Sequence, residues 1–388
     1  MLMKPSLSCF FLALLAFGIS TAAAPRATPD ARDKVTGTPD EPLLPEWSLL
    51  QAARALDEGA HLSESNCFAC HSTFTHLAAR SLIDPLADEV MKSRILLERF
   101  NSRMSDPQLA KQVKTHHASR VRLLSAVELA RHDANTTGRL SESTRRLLDH
   151  MWTYQNADGG VSWLHVREAP QAIDDYWPAA MMALGAGIAP EDYAASPKAA
   201  AGIERLRGWF KAHPPRTLHE RGLILIAHSF IAGVLGNDDI RAHASIILER
   251  QHPDGGWSMT DLAPRTRKDN KPLNPELTDG YATGFLAFAL ARGGIPAADP
   301  GLQRAIQWLK THQRLGGTWF TQSPYSRNAI ATNSGTSLAV QALEACGELT
   351  RPKVTQAQFD AAHAAADRAV PPGIFLPDQD VGKNPPHP

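Results

Sequence analysis

The stretch Gln251-His252-Pro253-Asp254-Gly255-Gly256-Trp257 decides the fold, because the chain contains it more than once. An earlier copy reads Trp152-Thr153-Tyr154-Gln155-Asn156-Ala157-Asp158-Gly159-Gly160-Val161-Ser162-Trp163, and a later one Trp308-Leu309-Lys310-Thr311-His312-Gln313-Arg314-Leu315-Gly316-Gly317-Thr318-Trp319. A degenerate copy lies around Trp209-Phe210, where His213-Pro214-Pro215 replaces the glycine turn. Paired glycines permit a positive φ and hence a tight turn between helices. A glutamine amide satisfies backbone groups left over at a helix end, and a tryptophan covers the turn. Helical hairpins repeated this way cannot bury their faces alone, so they stack. The glutamines and tryptophans therefore read as scaffold.

Working outward, each copy precedes a helix rich in small residues, over 176–187, 222–235, 281–292 and 335–346. Upstream, 47–56 has apolar residues at helical spacing and stops at Gly59, and 86–100 and 108–132 are long amphipathic runs. Alternating runs that would mark strands are scarce. Pro25, Pro29, Pro39, Pro42 and Pro45 mark a disordered linker, and prolines recur from Pro371 to Pro388 in a loose tail. The expected organisation is a signal peptide at 1–24, a Pro-rich linker at 25–45 and a helical segment at 46–135. A toroid at 136–350 and a C-terminal helix with its tail at 351–388 follow.

A second motif stands apart from the repeats: Cys67-Phe68-Ala69-Cys70-His71. C-x-x-C-H is the attachment signature of c-type haem. Two thiols at this spacing each form a thioether to a haem vinyl, and the next imidazole becomes the proximal iron ligand. Cys67 and Cys70 are thus expected as anchors of one covalent haem c, and His71 as its metal ligand. A thioredoxin-like pair would want a βαβ setting, which the chain lacks. A zinc site needs four ligands, and no second cysteine pair exists. Met91, Met104, His116 and His117 are candidates for the sixth position, which an open site would leave vacant; His76 is too near in sequence to reach the opposite haem face.

The N-terminus agrees with that reading. Lys4, an apolar run over 10–19 and Thr21-Ala22-Ala23-Ala24 form an export signal with small residues for cleavage. An exported, periplasmic or secreted protein is expected, with no membrane span in the mature chain. Of four cysteines, Cys9 falls in the signal and Cys346 reads as a small core residue before a Gly347 helix cap. The 388 residues carry no net formal charge and no basic block, which argues against nucleic acid as a partner.

The Gln-x-x-Asp-Gly-Gly-x-Trp repeats resemble the QW motifs of the squalene–hopene cyclase and prenyltransferase superfamily, over roughly 147–349. The resemblance implies an all-α fold with a single α/α toroid. The pairing of C-x-x-C-H with Asp279-Gly280-Tyr281-Ala282-Thr283-Gly284 and Ser334-Gly335-Thr336-Ser337-Leu338-Ala339 is similar to a group of bacterial exported cyclase-like proteins with a cytochrome-type haem motif. Cyclases of this kind protonate their substrate from D-x-D-D. Here Ala172-Ile173-Asp174-Asp175 lacks the first aspartate. Asp174, Asp175 and Asp279 are the catalytic candidates, and each also stands where a helix cap is expected. His165 is a further candidate for the toroid mouth.

The leading expectation is a redox protein, acting in electron transfer with a partner protein or in haem-dependent oxidation, whose toroid holds an apolar, isoprenoid-like molecule. A terpenoid cyclase or isomerase using an aspartic acid is the second reading. A non-enzymatic helical-repeat binding module is the third.

Overall fold

The computed structural model describes residues 37–60, 72–106, 115–163, 175–264, 267, 269–324 and 328–371, and the side chains from 119 onward in the segment that begins at 115. The chain builds helical hairpins, each an outer helix followed by an inner one. They are α1 (Leu49–Ala60) with α2 (Thr73–Ile83), α3 (Asp88–Arg103) with α4 (Thr115–Asn135), and α5 (Glu142–Met151) with α6 (Tyr176–Ile188). Next come α7 (Pro197–Ala212) with α8 (Leu218–Phe230) and α9 (Asn237–Leu248), a short α10 (Met259–Leu262) and α11 (Gly280–Arg292). Then α12 (Pro300–Thr311) pairs with α13 (Asn328–Ala345), and α14 (Gln356–Ala369) packs outside α3.

The inner helices close a ring. Helix α2 packs on α4, α4 on α6, α6 on α8, α8 on α11, α11 on α13, and α13 returns to α2. Neighbours run the same way. Gly280 and Gly284 of α11 face Gly335 and Ala339 of α13 in register, and Gly222 and Leu225 of α8 face Phe285 and Gly293. The described chain is thus an all-α toroid of helical hairpins.

Small residues explain how tightly the ring closes. A Cβ added to Gly284 would lie 2.7 Å from the Ala339 backbone nitrogen, so only glycine fits at that crossing. Every residue of α11 from Gly280 to Leu290 is buried. A helix enclosed on all sides has no polar stripe. The capping box of Thr217 and Glu220 starts α8 ahead of the small residues that mark it in sequence.

Two expectations change. The sequence reading sets 46–135 apart from the toroid at 136–350, yet α1 to α4 supply two of the ring's hairpins. Their sequence carries no Gln-x-x-Asp-Gly-Gly-x-Trp repeat to make them visible. Their contacts are instead individual. His76 Nε2 shares a 2.9 Å hydrogen bond with Asp57, its Nδ1 lies 3.1 Å from Ser93 Oγ, and Arg80 pairs with Asp57 at 3.0 Å. Burial pushes the His76 imidazole down, against the pull of Asp57. The end of the Pro-rich stretch, expected as disordered linker, is also held. Leu44 N–H donates to Gln313 O at 2.8 Å, Leu315 N–H to Pro42 O at 2.8 Å, and Gly316 N–H to Glu41 Oε1 at 2.6 Å.

Candidate functional site

The repeat turns come first, because they set the rim. The Gln155 amide donates to Gly159 O at 2.9 Å within its own turn and to Gly202 O at 3.0 Å in α7. Gln251 does the same with Gly255 O and Gly301 O, both at 2.8 Å. Gln313 donates to Gly317 O and to Ser48 O, both at 3.0 Å, and accepts from Ser48 N–H at 2.6 Å. Ser48 at the head of α1 therefore takes the place that Gly202 and Gly301 take in the next outer helix. The third turn closes the ring onto its beginning. Gly159, Gly255 and Gly317 have φ of 93°, 95° and 87°, and each lies against a backbone carbonyl of that neighbour, from Arg205, Arg304 and Gln51. Trp257 and Trp319 are wholly buried, and their indole N–H groups donate to Ile247 O and Leu309 O. The glutamines and tryptophans are scaffold, as their chemistry suggested.

Inside the rim lies a cavity of about 90 Å³, and all six helices of the inner ring contribute to its wall. Phe74, Leu124, Trp177, Met181, Phe285 and Phe288 make most of it apolar. One polar chain runs along one side of its wall. Arg131 donates to Gln341 Oε1, the Gln341 amide donates to Ser337 Oγ at 3.1 Å, and Ser337 Oγ donates to Thr75 O at 2.7 Å. Arg131 also reaches Glu128 Oε1, loosely, at 3.4 Å. Glu128 is 5% exposed, and its Oε2 meets no hydrogen-bond partner among the described residues. Burial pushes the Glu128 carboxyl above its ordinary range, although Arg131 pulls the other way. Desolvation prevails because the contact with Arg131 is long and a buried charge is costly without close pairing.

Sequence reasoning did not find this pair. Glu128 and Arg131 fall in the amphipathic run that ends at His132, where a charged side chain reads as a solvated face. The available signal was spacing. Val121, Leu124, Glu128 and Arg131 recur three and four apart and so share one helix face with apolar neighbours.

The expected site residues are placed as follows. Asp279 is wholly buried and caps α11. Its Oδ1 accepts from Ala282 N–H at 3.0 Å and its Oδ2 from Met259 N–H at 2.7 Å. Burial raises its carboxyl to about 7 against those donors. Asp175 precedes α6, and its Oδ1 accepts from Trp163 N–H at 3.2 Å. Neither is among the residues of the cavity wall. Asp174, His165, Cys67, Cys70 and His71 lie outside the described residues, as do the signal and the side chains of His116 and His117. Met91 packs with Ile95, Ala366 and Val370 beneath α14, and Met104 belongs to the main core. Cys346 is a free, buried thiol pushed up to about 12 by burial. Among the described residues no group of three or more His, Cys, Asp or Glu is placed to hold a metal ion. No described helix is long and apolar enough to cross a membrane.

No protein-family model matches the chain, and no curated protein matches it either. Among solved structures, a glycosidase variant and its wild-type form align with 78% of this chain and 100% of their own, both at 11% identity. Their TM-scores are 0.46 and 0.45.

Proposed function

We propose that the toroid holds a small apolar molecule in its central cavity. The observation that supports this is the wall itself: six helices converge on one largely apolar space, and aromatic side chains supply much of it. A space of about 90 Å³ takes a small ring or a branched group of a few carbons. An engineered apolar cavity of about 150 Å³ holds benzene, which sets the scale. Isobutane, smaller than benzene, is the simplest probe. It should raise the thermal midpoint of the wild-type protein, because a ligand that binds only the folded state stabilises it. Ala78→Phe fills the same space and should abolish the rise. A wild-type midpoint that does not respond rejects the cavity reading.

The haem c proposed on Cys67, Cys70 and His71 is supported by the C-x-x-C-H motif and the export signal. When bound, it would supply one-electron chemistry and call for a redox partner protein. Protein made in a host with c-type maturation should give a pyridine haemochrome band. A protein that releases all of its haem into acid acetone, or never acquires any, would refute the covalent haem.

A further inference from the structure

We propose that the cavity takes a small neutral molecule with one acceptor oxygen, which accepts a hydrogen bond from Arg131 Nε–H while its apolar side lies against α6, α8 and α11. The inference rests on the cavity reading above and adds the chemical class of what binds.

The wall has two sides. Its polar groups come from one arc of the ring: Thr75 on α2, Glu128 and Arg131 on α4, and Ser334, Ser337 and Gln341 on α13, with α2 packed between α4 and α13. The three on α13 recur three and four apart and so share a face. The opposite arc, α6, α8 and α11, supplies aromatic and aliphatic side chains, with Tyr281 as its polar contribution among the described residues. A space with one polar side fits a ligand with one polar end. The chemistry of that end follows from which donors are spent. Thr75 Oγ1 donates to Ser72 O at 3.0 Å, Ser334 Oγ to Ile330 O at 3.1 Å and Ser337 Oγ to Thr75 O at 2.7 Å. The Gln341 amide is turned to Ser337. Arg131 differs. Its Nη1 reaches Glu128 at 3.4 Å and its Nη2 reaches Gln341, which leaves Nε–H with no acceptor among the described residues. The Nε of Arg292 is also unpaired but sealed in by its surroundings; that of Arg131, a residue 8% exposed in the cavity wall, is not. A guanidinium is a donor at any working pH and never an acceptor, so the ligand's part is an acceptor oxygen. A carboxylate would have to settle beside Glu128, which already shares this guanidinium, and a cation beside Arg131 itself. A neutral carbonyl or hydroxyl meets neither repulsion.

The test compares acetone with isobutene, which have the same shape and differ by an oxygen in place of a methylene group. Both are titrated into wild-type protein and followed by nuclear magnetic resonance. The methyl resonances of Met181 and Leu223, in the apolar arc, report entry into the cavity. The Arg131 Nε–H resonance, assigned through the bonds of its own side chain, reports the hydrogen bond without need of a variant. Both probes should move the methyls, and acetone alone should move the Nε–H resonance downfield, saturating together with the methyls. Acetone that moves the methyls and leaves Nε–H in place overturns the role of Arg131 and leaves the cavity reading intact. Methyls that respond to neither probe overturn both. Acetate that saturates the site at lower concentration than acetone overturns the neutral class. In Arg131→Met the ratio of acetone to isobutene affinity should fall about tenfold or more, the scale of one hydrogen bond from a charged donor. An unchanged ratio again overturns the proposal.

Discussion

The glutamine turns at the rim and the Glu128 position in the cavity are both polar groups set among apolar ones, and they end differently. Each of the three glutamines has its amide and its carbonyl engaged: Gln155 with Gly159, Gly202 and Arg205, Gln251 with Gly255, Gly301 and Arg304, Gln313 with Gly317 and Ser48. Glu128 has one oxygen held loosely and one without a partner among the described residues. The rim is complete without help; the cavity is not. A polar group that is fully satisfied by its own chain is there to hold the chain. One left unsatisfied in a buried space costs the fold stability instead.

The contrast can be broken at its strongest point first. Trp319→Ala removes a wholly buried indole under the third turn and should cost about 3–5 kcal/mol in urea unfolding. A loss below about 1 kcal/mol would mean that the turns do not hold the rim. Next comes Gln313→Ala, which strips three hydrogen bonds, one of them to a carbonyl of its own turn and two to Ser48. At about 1 kcal/mol for each net bond, roughly 2–3 kcal/mol should be lost. Gln155→Ala, at a more exposed turn, should lose less. Equal losses would show that closing the ring onto α1 adds nothing beyond an ordinary turn.

On the cavity side the expected change is small. Glu128→Gln puts a neutral isostere in place of the acid and should shift stability by less than about 1 kcal/mol at pH 4, below the acid's ordinary value. A larger loss would reveal an ionised Glu128 held by Arg131. The pH dependence sharpens the point. The folded-state pKa of Glu128 lies above its ordinary value, so its contribution to stability is fully present below that value and fades as pH rises through the folded pKa. Glu128→Gln should flatten that part of the profile. Asp279 follows the same sign. Its contribution is complete below 3.8 and is lost as pH rises through about 7. Asp279→Asn should therefore cost most at pH 4 and less at pH 8, by denaturant midpoints. A cost that grows toward pH 8 would mean that the backbone donors of Ala282, Met259 and Tyr281 outweigh burial and keep Asp279 ionised.

Much of the ring was legible in the chain because its physics repeats. A glutamine, a positive-φ glycine and a tryptophan must recur wherever the same turn recurs, so Gln155, Gln251 and Gln313 announce themselves. Helices α1 to α4 join the same ring through contacts that occur once, such as Asp57 with His76 and Arg80, and a contact made once leaves no period to read. The start of α13 at Asn328 was also hidden. Thr332, Asn333 and Ser334 look like a loop in sequence, yet they are buried in the helix, where Thr332 Oγ1, like Thr336 Oγ1 one turn on, meets the backbone of the preceding segment. Glu128 was illegible for the opposite reason. A glutamate in an amphipathic helix normally faces water, and only the closed ring turns that face inward.

The bond between Gln313 and Ser48 spans 265 positions of sequence. It has a consequence for how the protein is made. Helix α1 leaves the ribosome long before the turn that will seat it, so its apolar face waits for most of the chain to be synthesised. Contacts this distant are slow to form, because a large loop must be closed before they reward the chain. The ring is consequently an arc for most of its assembly, with two open ends of unlike kind: the head of α1 and the turn after α12. Each is a ready acceptor for the other, and equally for the same element of a second copy, which makes this seam the place where exchange between nascent chains would begin.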